Sequence, residues 1–230
     1  DSFGKLIYID QVKYADTDEI VKKVVFEYTN SDNEDEENLI RAFKAKLDPQ
    51  FLLENVVFRL VNADMNKAFL ENTPHINYLD MAAIYVLPIK ANVPENEMSA
   101  RITDDIVEQY EINEHDLYEA ALRNSKNYYD FSIKTINQVV CEMGFPPMPV
   151  ASWLPLYVCK GVSGLYGATI MLFPECFAEL ADKYGCDLYI IPSSIHECLT
   201  VPEWFADDPE DLRQLCKTVN EECVLPEELL

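Results

Sequence analysis

Histidine, glycine and positive charge are all scarce in this 230-residue chain. It contains three histidines and six glycines, and 18 lysines and arginines stand against 41 aspartates and glutamates. The resulting formal net charge is −23. Phosphates of nucleic acids and anionic lipid surfaces repel a chain that is this acidic. We therefore expect no direct contact with nucleic acid and none with a membrane surface.

Long apolar runs are also missing. No stretch approaches the 18 or so apolar residues that a membrane-spanning helix needs. The opening residues, Asp1–Lys5, show neither the basic region nor the apolar region of a signal peptide. These two absences predict a cytoplasmic protein.

The cysteines lack the spacing of a disulfide framework or a zinc site. Their number, seven, is odd, and no two have the C-x-x-C spacing. Neither G-x-G-x-x-G nor G-K-[ST] occurs, so a nucleotide-binding loop is not expected. The sequence predicts reduced thiols, no metal and no cofactor.

The apolar fraction, 49%, is that of a folded protein, and its pattern predicts the α+β class. The first fifty residues read as mostly helical, and Val56–Val61 as a short strand. We expect a helix over Asn62–Asn72, and a hairpin that joins the apolar stretch Tyr78–Leu87 to Met98–Ile102. One helix should follow Asn113, and a second should be capped by Asp130 and stopped by Gly144.

A proline-rich stretch, Phe145–Pro155, predicts a boundary between residues 1–145 and residues 146–230. These two parts are either separate domains or halves of one continuous domain. The second part reads β-β-α-β-β-α. Its predicted strands are Leu156–Cys159, Tyr166–Phe173, Asp187–Ile191 and Ile195–Val201. The expected architecture is a helical N-terminal part followed by mainly antiparallel strands flanked by helices.

Residues 187–197, DLYIIPSSIHE, resemble a signature of one family. The residues that accompany it are Asn62, Asn66, Leu70, Pro74, His75, Leu79, Asp80, Tyr166, Gly167 and Ala168. On these residues the chain resembles a family of uncharacterised bacterial proteins, a domain of unknown function found in several copies in anaerobic Gram-positive bacteria. The resemblance runs from about Leu6 to Leu230 and implies an additional helical segment before it. It implies no activity.

The turn in that signature contains every residue type of a serine hydrolase. Ser193 or Ser194 would be the nucleophile, His196 the base and Glu197 the carboxylate that orients it. Neighbouring residues of one strand point to opposite faces, however, and the G-x-S-x-G elbow is absent. The alternative interpretation is a hairpin turn whose hydroxyls bond to the backbone.

Two further histidine patterns are weaker. His75 lies close in sequence to Asp80, which could make it an auxiliary base. His196 and Glu197 begin like the zinc motif H-E-x-x-H, but Thr200 occupies the position of the second histidine. Both patterns also suit ordinary loop and strand residues.

Acidity is the most informative feature. Residues 95–119 contain nine acids and one base, and residues 161–230 contain 14 acids and three bases. We predict a non-enzymatic binding or regulatory module whose acidic surface engages a basic protein, such as a nucleic-acid-binding protein whose site it occupies. The alternative is a hydrolase centred on Ser193, Ser194, His196 and Glu197. A third interpretation is a structural fragment whose preceding segment carries the activity.

Overall fold

The computed structural model describes residues 47–89, 98–147, 149, 154–206 and 208–230. Its α-helices are α1 (Pro49–Asn55), α2 (Lys67–Leu70), α3 (Asp104–Gln109), α4 (Glu114–Tyr129), α5 (Ile136–Glu142), α6 (Ala178–Tyr184) and α7 (Pro209–Cys223). Its strands are β1 (Val57–Asn62), β2 (His75–Tyr78), β3 (Met81–Ile89), β4 (Met98–Arg101), β5 (Ser132–Thr135), β6 (Tyr157–Lys160), β7 (Leu188–Pro192) and β8 (Glu197–Pro202). Helices and antiparallel sheets together confirm the predicted α+β class. The helices predicted before residue 47 lie outside the described residues.

The chain divides into two compact units. The first comprises residues 1–58, 66–76 and 84–125, and the second residues 59–65, 77–83 and 126–230. A boundary at residue 145, as the proline-rich stretch predicts, would fall within the second unit, between the paired strands β5 and β6.

One sheet has the order β1-β3-β2, with β4 paired antiparallel to β3, so that Val86 lies opposite Arg101. The predicted pairing of these two stretches is therefore confirmed, although Tyr78 belongs to β2 and the predicted linker lies outside the described residues. Val57–Val61 and Met81–Leu87 are buried without alternation, which is the pattern of strands covered on both faces.

Helix α4 shows how the first unit is held together. The Asn113 side chain accepts the N–H of His115 at 2.8 Å and caps the helix, as predicted. Its inward face carries the buried residues Leu117, Ala120 and Ala121. One turn further, the Ser125 hydroxyl accepts the N–H of Phe58 at 2.8 Å, which attaches the helix to β1.

The other sheet belongs to the second unit and has the order β5-β6-β8-β7, with every pairing antiparallel. Cys159 and Cys198 lie directly opposite each other on β6 and β8 and are fully buried. A hydrogen bond between the two thiols, together with burial, raises the pKa of the Cys198 thiol well above its usual value. The two thiols therefore behave as small core residues.

The prediction that a helix begins at Asp130 is wrong. Asp130 adopts a left-handed conformation (φ 46°) that ends α4, which an aspartate tolerates better than most residues. Ser132–Thr135 then pairs with β6 as a strand, and α5 starts only after Thr135. A capping box between Thr135 and Gln138 fixes that start, and Gly144 (φ 85°) follows the helix as the predicted stop.

Two other elements differ from the prediction. The strand expected over Tyr166–Phe173 is a 3₁₀ helix over Gly167–Leu172, buried from Gly167 to Met171. A short apolar run does not distinguish a buried strand from a buried helical turn, and this run has no partner strand among the described residues. The helix expected over Asn62–Asn72 shortens to α2, because β1 extends to Asn62 and residues 63–66 form turns.

Candidate functional site

The turn between β7 and β8 contains the predicted hydrolase residues. The backbone N–H groups of Ser193 and Ser194 both donate to the carbonyl oxygen of Glu197, at 3.3 and 3.2 Å. The hydroxyl of Ser194, a buried residue, accepts the N–H of His196 at 3.1 Å. From outside the turn, the carbonyl of Glu228 accepts the N–H of Ile195 at 2.9 Å. These contacts close the turn on itself and attach it to the C-terminal segment.

Both ring nitrogens of His196 have a contact. The backbone N–H of Tyr166 donates to Nδ1 at 3.1 Å, so Nδ1 holds a lone pair rather than a proton. Nε2 lies 3.5 Å from Oε1 of Glu228, which suits the neutral tautomer protonated at Nε2. Burial lowers the pKa of His196 below its usual value and Arg59 lowers it further, whereas Glu228 opposes the shift.

A buried arginine lies behind this histidine. The guanidinium carbon of Arg59 on β1 is 3.3 Å from the ring centroid of Tyr166, and that ring in turn is 5.3 Å from the ring of His196. Arg59 is 2% exposed, so this cation–π contact is shielded from solvent. The resulting stack runs from Arg59 through Tyr166 and His196 to Glu228, all within the second unit.

Gly167 allows the close backbone approach that this stack requires. A Cβ atom on Gly167 would lie 2.6 Å from the carbonyl oxygen of His196 and 2.7 Å from Cα of Lys160. Real Cβ atoms do not come that close, so no other residue fits here without a shift of the backbone. Tyr166, which precedes it, has a positive φ of 51°.

The other predicted residues are placed differently. Glu197 starts β8 opposite Lys160, and the carboxylate beside His196 is that of Glu228. His75 lies on β2 in the first unit, with Nδ1 2.7 Å from the carbonyl oxygen of Thr73. Asp80 is exposed in the second unit, between β2 and β3.

A dense group of carboxylates covers α3, the start of α4 and the turn between these helices. We name it the acidic α3–α4 surface, and it consists of Asp104, Asp105, Glu108, Glu111, Glu114, Asp116 and Glu119. All seven residues are exposed, and residues 104–119 contain no lysine or arginine. Among the described residues, no cation forms an ion pair with any of them. Burial, with repulsion from Asp105 and Glu114, raises the pKa of Asp104 against the opposing effect of His75.

The comparison with known families covers almost the whole chain. A family of unknown function, DUF5688, matches residues 5–230. The chain belongs to this family. No curated protein and no solved structure matches the chain significantly.

The described part of this DUF5688 protein offers no cluster of three or more histidine, cysteine or acidic side chains that could hold a metal ion. Its six described cysteines are free thiols. Within the same residues, no helix combines the length and the apolar character needed to cross a bilayer.

Sequence reasoning did not assign a role to Arg59, Tyr166 or Glu228 in this DUF5688 protein. Arg59 gives the clearest signal, because a single charge within the apolar strand Val56–Val61 has to find a partner when the strand is buried. Tyr166 occurs among the residues of the family resemblance, without a role. Nothing in the sequence connects Glu228 to His196, since the two are far apart along the chain.

Proposed function

We propose that this chain is a non-enzymatic binding module whose acidic α3–α4 surface engages a basic protein partner. The observation that carries the proposal is the accumulation of seven exposed carboxylates without an ion pair to any described cation. A basic surface would supply the missing counter-charges and would be attracted across about 8 Å at physiological salt.

The electrostatics of the surface support this choice of partner. Partial burial is the main cause of the raised pKa of Asp104, and repulsion from Asp105 and Glu114 adds to it, so part of the shift comes from neighbouring negative charges. A cationic partner relieves that repulsion on binding. Proteins that bind nucleic acid present such cationic surfaces, and this chain would then occupy the site that phosphates otherwise fill.

The contacts of the Pro192–Glu197 turn support the non-enzymatic part of the proposal. A serine hydrolase needs a free histidine lone pair within about 3 Å of a serine hydroxyl. The Nδ1 lone pair of His196 accepts from Tyr166, and the hydroxyl of Ser194 accepts from the backbone of His196. The hydrolase remains the alternative. Labelling of Ser193 or Ser194 by a fluorophosphonate probe, lost in His196→Ala, would favour it.

We also infer a cytoplasmic location. The six described cysteines are free thiols, and thiols persist where glutathione and thioredoxin keep the compartment reducing.

The experiment is a pull-down from cell lysate at low and at high salt with three matched proteins. The first is the wild-type chain. The second neutralises part of the acidic α3–α4 surface with Asp105→Asn, Glu108→Gln, Asp116→Asn and Glu119→Gln. The third removes the same number of exposed charges elsewhere, with Glu179→Gln, Asp182→Asn, Asp187→Asn and Glu203→Gln.

We expect a basic protein to be retained by the wild-type chain and by the control at low salt, and to be released at high salt. The α3–α4 variant should retain much less of it. Added DNA should compete if the partner uses its nucleic-acid-binding site. Equal retention by both variants, or a partner that resists high salt, would contradict the proposal.

A further inference from the structure

The second unit contains a half-open cavity of about 950 Å³ along strand β7 and helix α7. Its walls are mainly apolar and include Met81, Met171, Phe177, Ile190 and Leu212. This volume is at the upper end of the roughly 300–1,000 Å³ that small-molecule sites occupy.

The packing around this cavity is incomplete for an apolar interior. Leu212, Cys216 and Asn220 lie four residues apart on one face of α7, and all three line the cavity while remaining only half-buried. None of the five residues of β7 is fully buried. Small-molecule sites are concave and mostly apolar, so a pocket of this size with mainly apolar walls suits an apolar occupant.

Among the residues that line the cavity, basic side chains outnumber acidic ones. Arg213 and Lys217, one turn apart on α7, line it, and Asp80 is the one acidic side chain among the lining residues. Arg213 donates to Glu210 at 3.1 Å. Among the described residues Lys217 forms no ion pair. Because Arg213 already bonds to Glu210, Lys217 is the lining cation that a single negative charge on a ligand would neutralise.

From this geometry we propose that the cavity binds a long-chain carboxylate. The apolar chain of the ligand lies against Met81, Met171 and Leu212, and its carboxylate accepts hydrogen bonds from Lys217 and Arg213. A peptide is a poorer occupant, because its backbone N–H and C=O groups would need polar partners that mainly apolar walls do not offer.

Calorimetric titration of the whole chain with dodecanoate tests this inference, with dodecylammonium as the ligand of opposite charge. The charge variant is Arg213→Gln with Lys217→Gln. Arg123→Gln, an exposed cation on α4 that does not line the cavity, is its control. In a third variant, Ile190→Trp, the larger ring narrows the cavity where the ligand chain would lie, and circular dichroism checks that this variant folds.

We expect one dodecanoate per chain and weaker binding of dodecylammonium. The charge variant should bind dodecanoate about tenfold more weakly and lose the preference for the anion, because charge-assisted hydrogen bonds are removed. Arg123→Gln should bind like the wild type. Ile190→Trp should weaken binding, because it narrows the cavity.

Absence of dodecanoate binding at millimolar concentration would overturn the inference, and so would unchanged affinity in the charge variant. Equal affinity for dodecylammonium would do the same. Sedimentation velocity provides a separate check. The chain could form a concentration-dependent dimer that dodecanoate does not dissociate. If Ile190→Trp abolishes that dimer, the cavity is the binding site of a second copy of this chain. If Ile190→Trp does not fold, the charge variant decides, since its two substitutions are at exposed positions.

Discussion

At the residue scale, the proposed non-enzymatic function depends on the contacts of the His196 ring. A general base needs a nitrogen lone pair directed at its substrate, and here the Nδ1 lone pair receives the N–H of Tyr166. Protonation would place two donors face to face at that contact. The ring is therefore held neutral by its surroundings, in agreement with its lowered pKa.

This neutrality predicts a dependence of stability on pH. Because burial lowers the pKa of His196 in the folded state, the unfolded chain binds the extra proton first. The contribution of His196 to the free energy of unfolding should be complete above its usual pKa of 6.5. It should fall as the pH drops toward the lower pKa of His196 in the folded state. The free energy of unfolding, measured in urea from about pH 7.5 to about pH 5, should therefore fall more steeply for the wild type than for His196→Asn.

The exposed His115 provides the control for that experiment. His115→Asn should retain the pH dependence of the wild type, because its ring is exposed on α4. Parallel curves for the wild type and His196→Asn would contradict the account of the ring.

The two serines of the turn should differ in their effect on stability. Ser194→Ala removes a buried acceptor of the His196 N–H and should cost about 0.5–1.5 kcal/mol. Ser193→Ala should cost less, because the contact of Ser193 within the turn is made by its backbone N–H, which alanine retains. Urea unfolding of the two variants measures both values. A larger loss for Ser193→Ala would show that the Ser193 hydroxyl has a role that these contacts do not explain.

At the element scale, the structure depends on where side chains attach helices to strands. Helix α4 combines an apolar inward face with a buried polar contact to β1, the hydrogen bond from the Phe58 N–H to Ser125. Ser125 is fully buried and also donates to the carbonyl of Ala121 at 2.6 Å. The helix is therefore fixed against β1 by a bond that water cannot replace.

We predict that Ser125→Ala destabilises the chain by about 1–3 kcal/mol, because it leaves the buried N–H of Phe58 without its acceptor. Thermal or urea unfolding measures the change. Ser163→Ala is the control, since Ser163 is exposed and its loss should change stability by no more than about 0.5 kcal/mol. Similar effects of the two substitutions would contradict this assignment of the α4–β1 contact.

The elements that sequence reasoning located are those with local signals. The Asn113 cap located α4, and Asp208 with Pro209 located α7. The elements that it missed depend on distant partners. Ser132–Thr135 is a strand because it pairs with β6. Its sequence suggested a helix, because Ile133 is spaced from Ile136 and Val140 as on one helix face. The segment from Gly167 is helical because it is buried against β6 and β8, and its sequence alone resembles a strand.

At the scale of the whole molecule, charge limits the class of partner more firmly than any motif. The net charge of −23 is spread along the chain, and the acidic α3–α4 surface concentrates seven of these charges within 16 residues. The sequence predicted this concentration, because residues 95–119 are rich in acids and charged residues of an amphipathic helix face solvent. The Arg59–Tyr166–His196–Glu228 stack could not be predicted, because it joins residues from distant parts of the chain.

The same charge predicts that the protein does not bind DNA or RNA directly. No shift is expected in a gel-shift assay at micromolar protein and physiological salt, because phosphates would meet like charge. A retarded band under these conditions would contradict the electrostatic account.

Backbone NMR of the isotope-labelled chain during titration with a decalysine peptide tests the central claim most directly. We predict that amide shifts concentrate within residues 104–119, saturate at low salt and disappear as salt is raised, because the contact is a screened attraction between opposite charges. The variant with Asp105→Asn, Glu108→Gln, Asp116→Asn and Glu119→Gln should lose them, and the control variant should keep them. Shifts located mainly within residues 208–230, or spread evenly over all acidic segments, would contradict the acidic α3–α4 surface as the binding site.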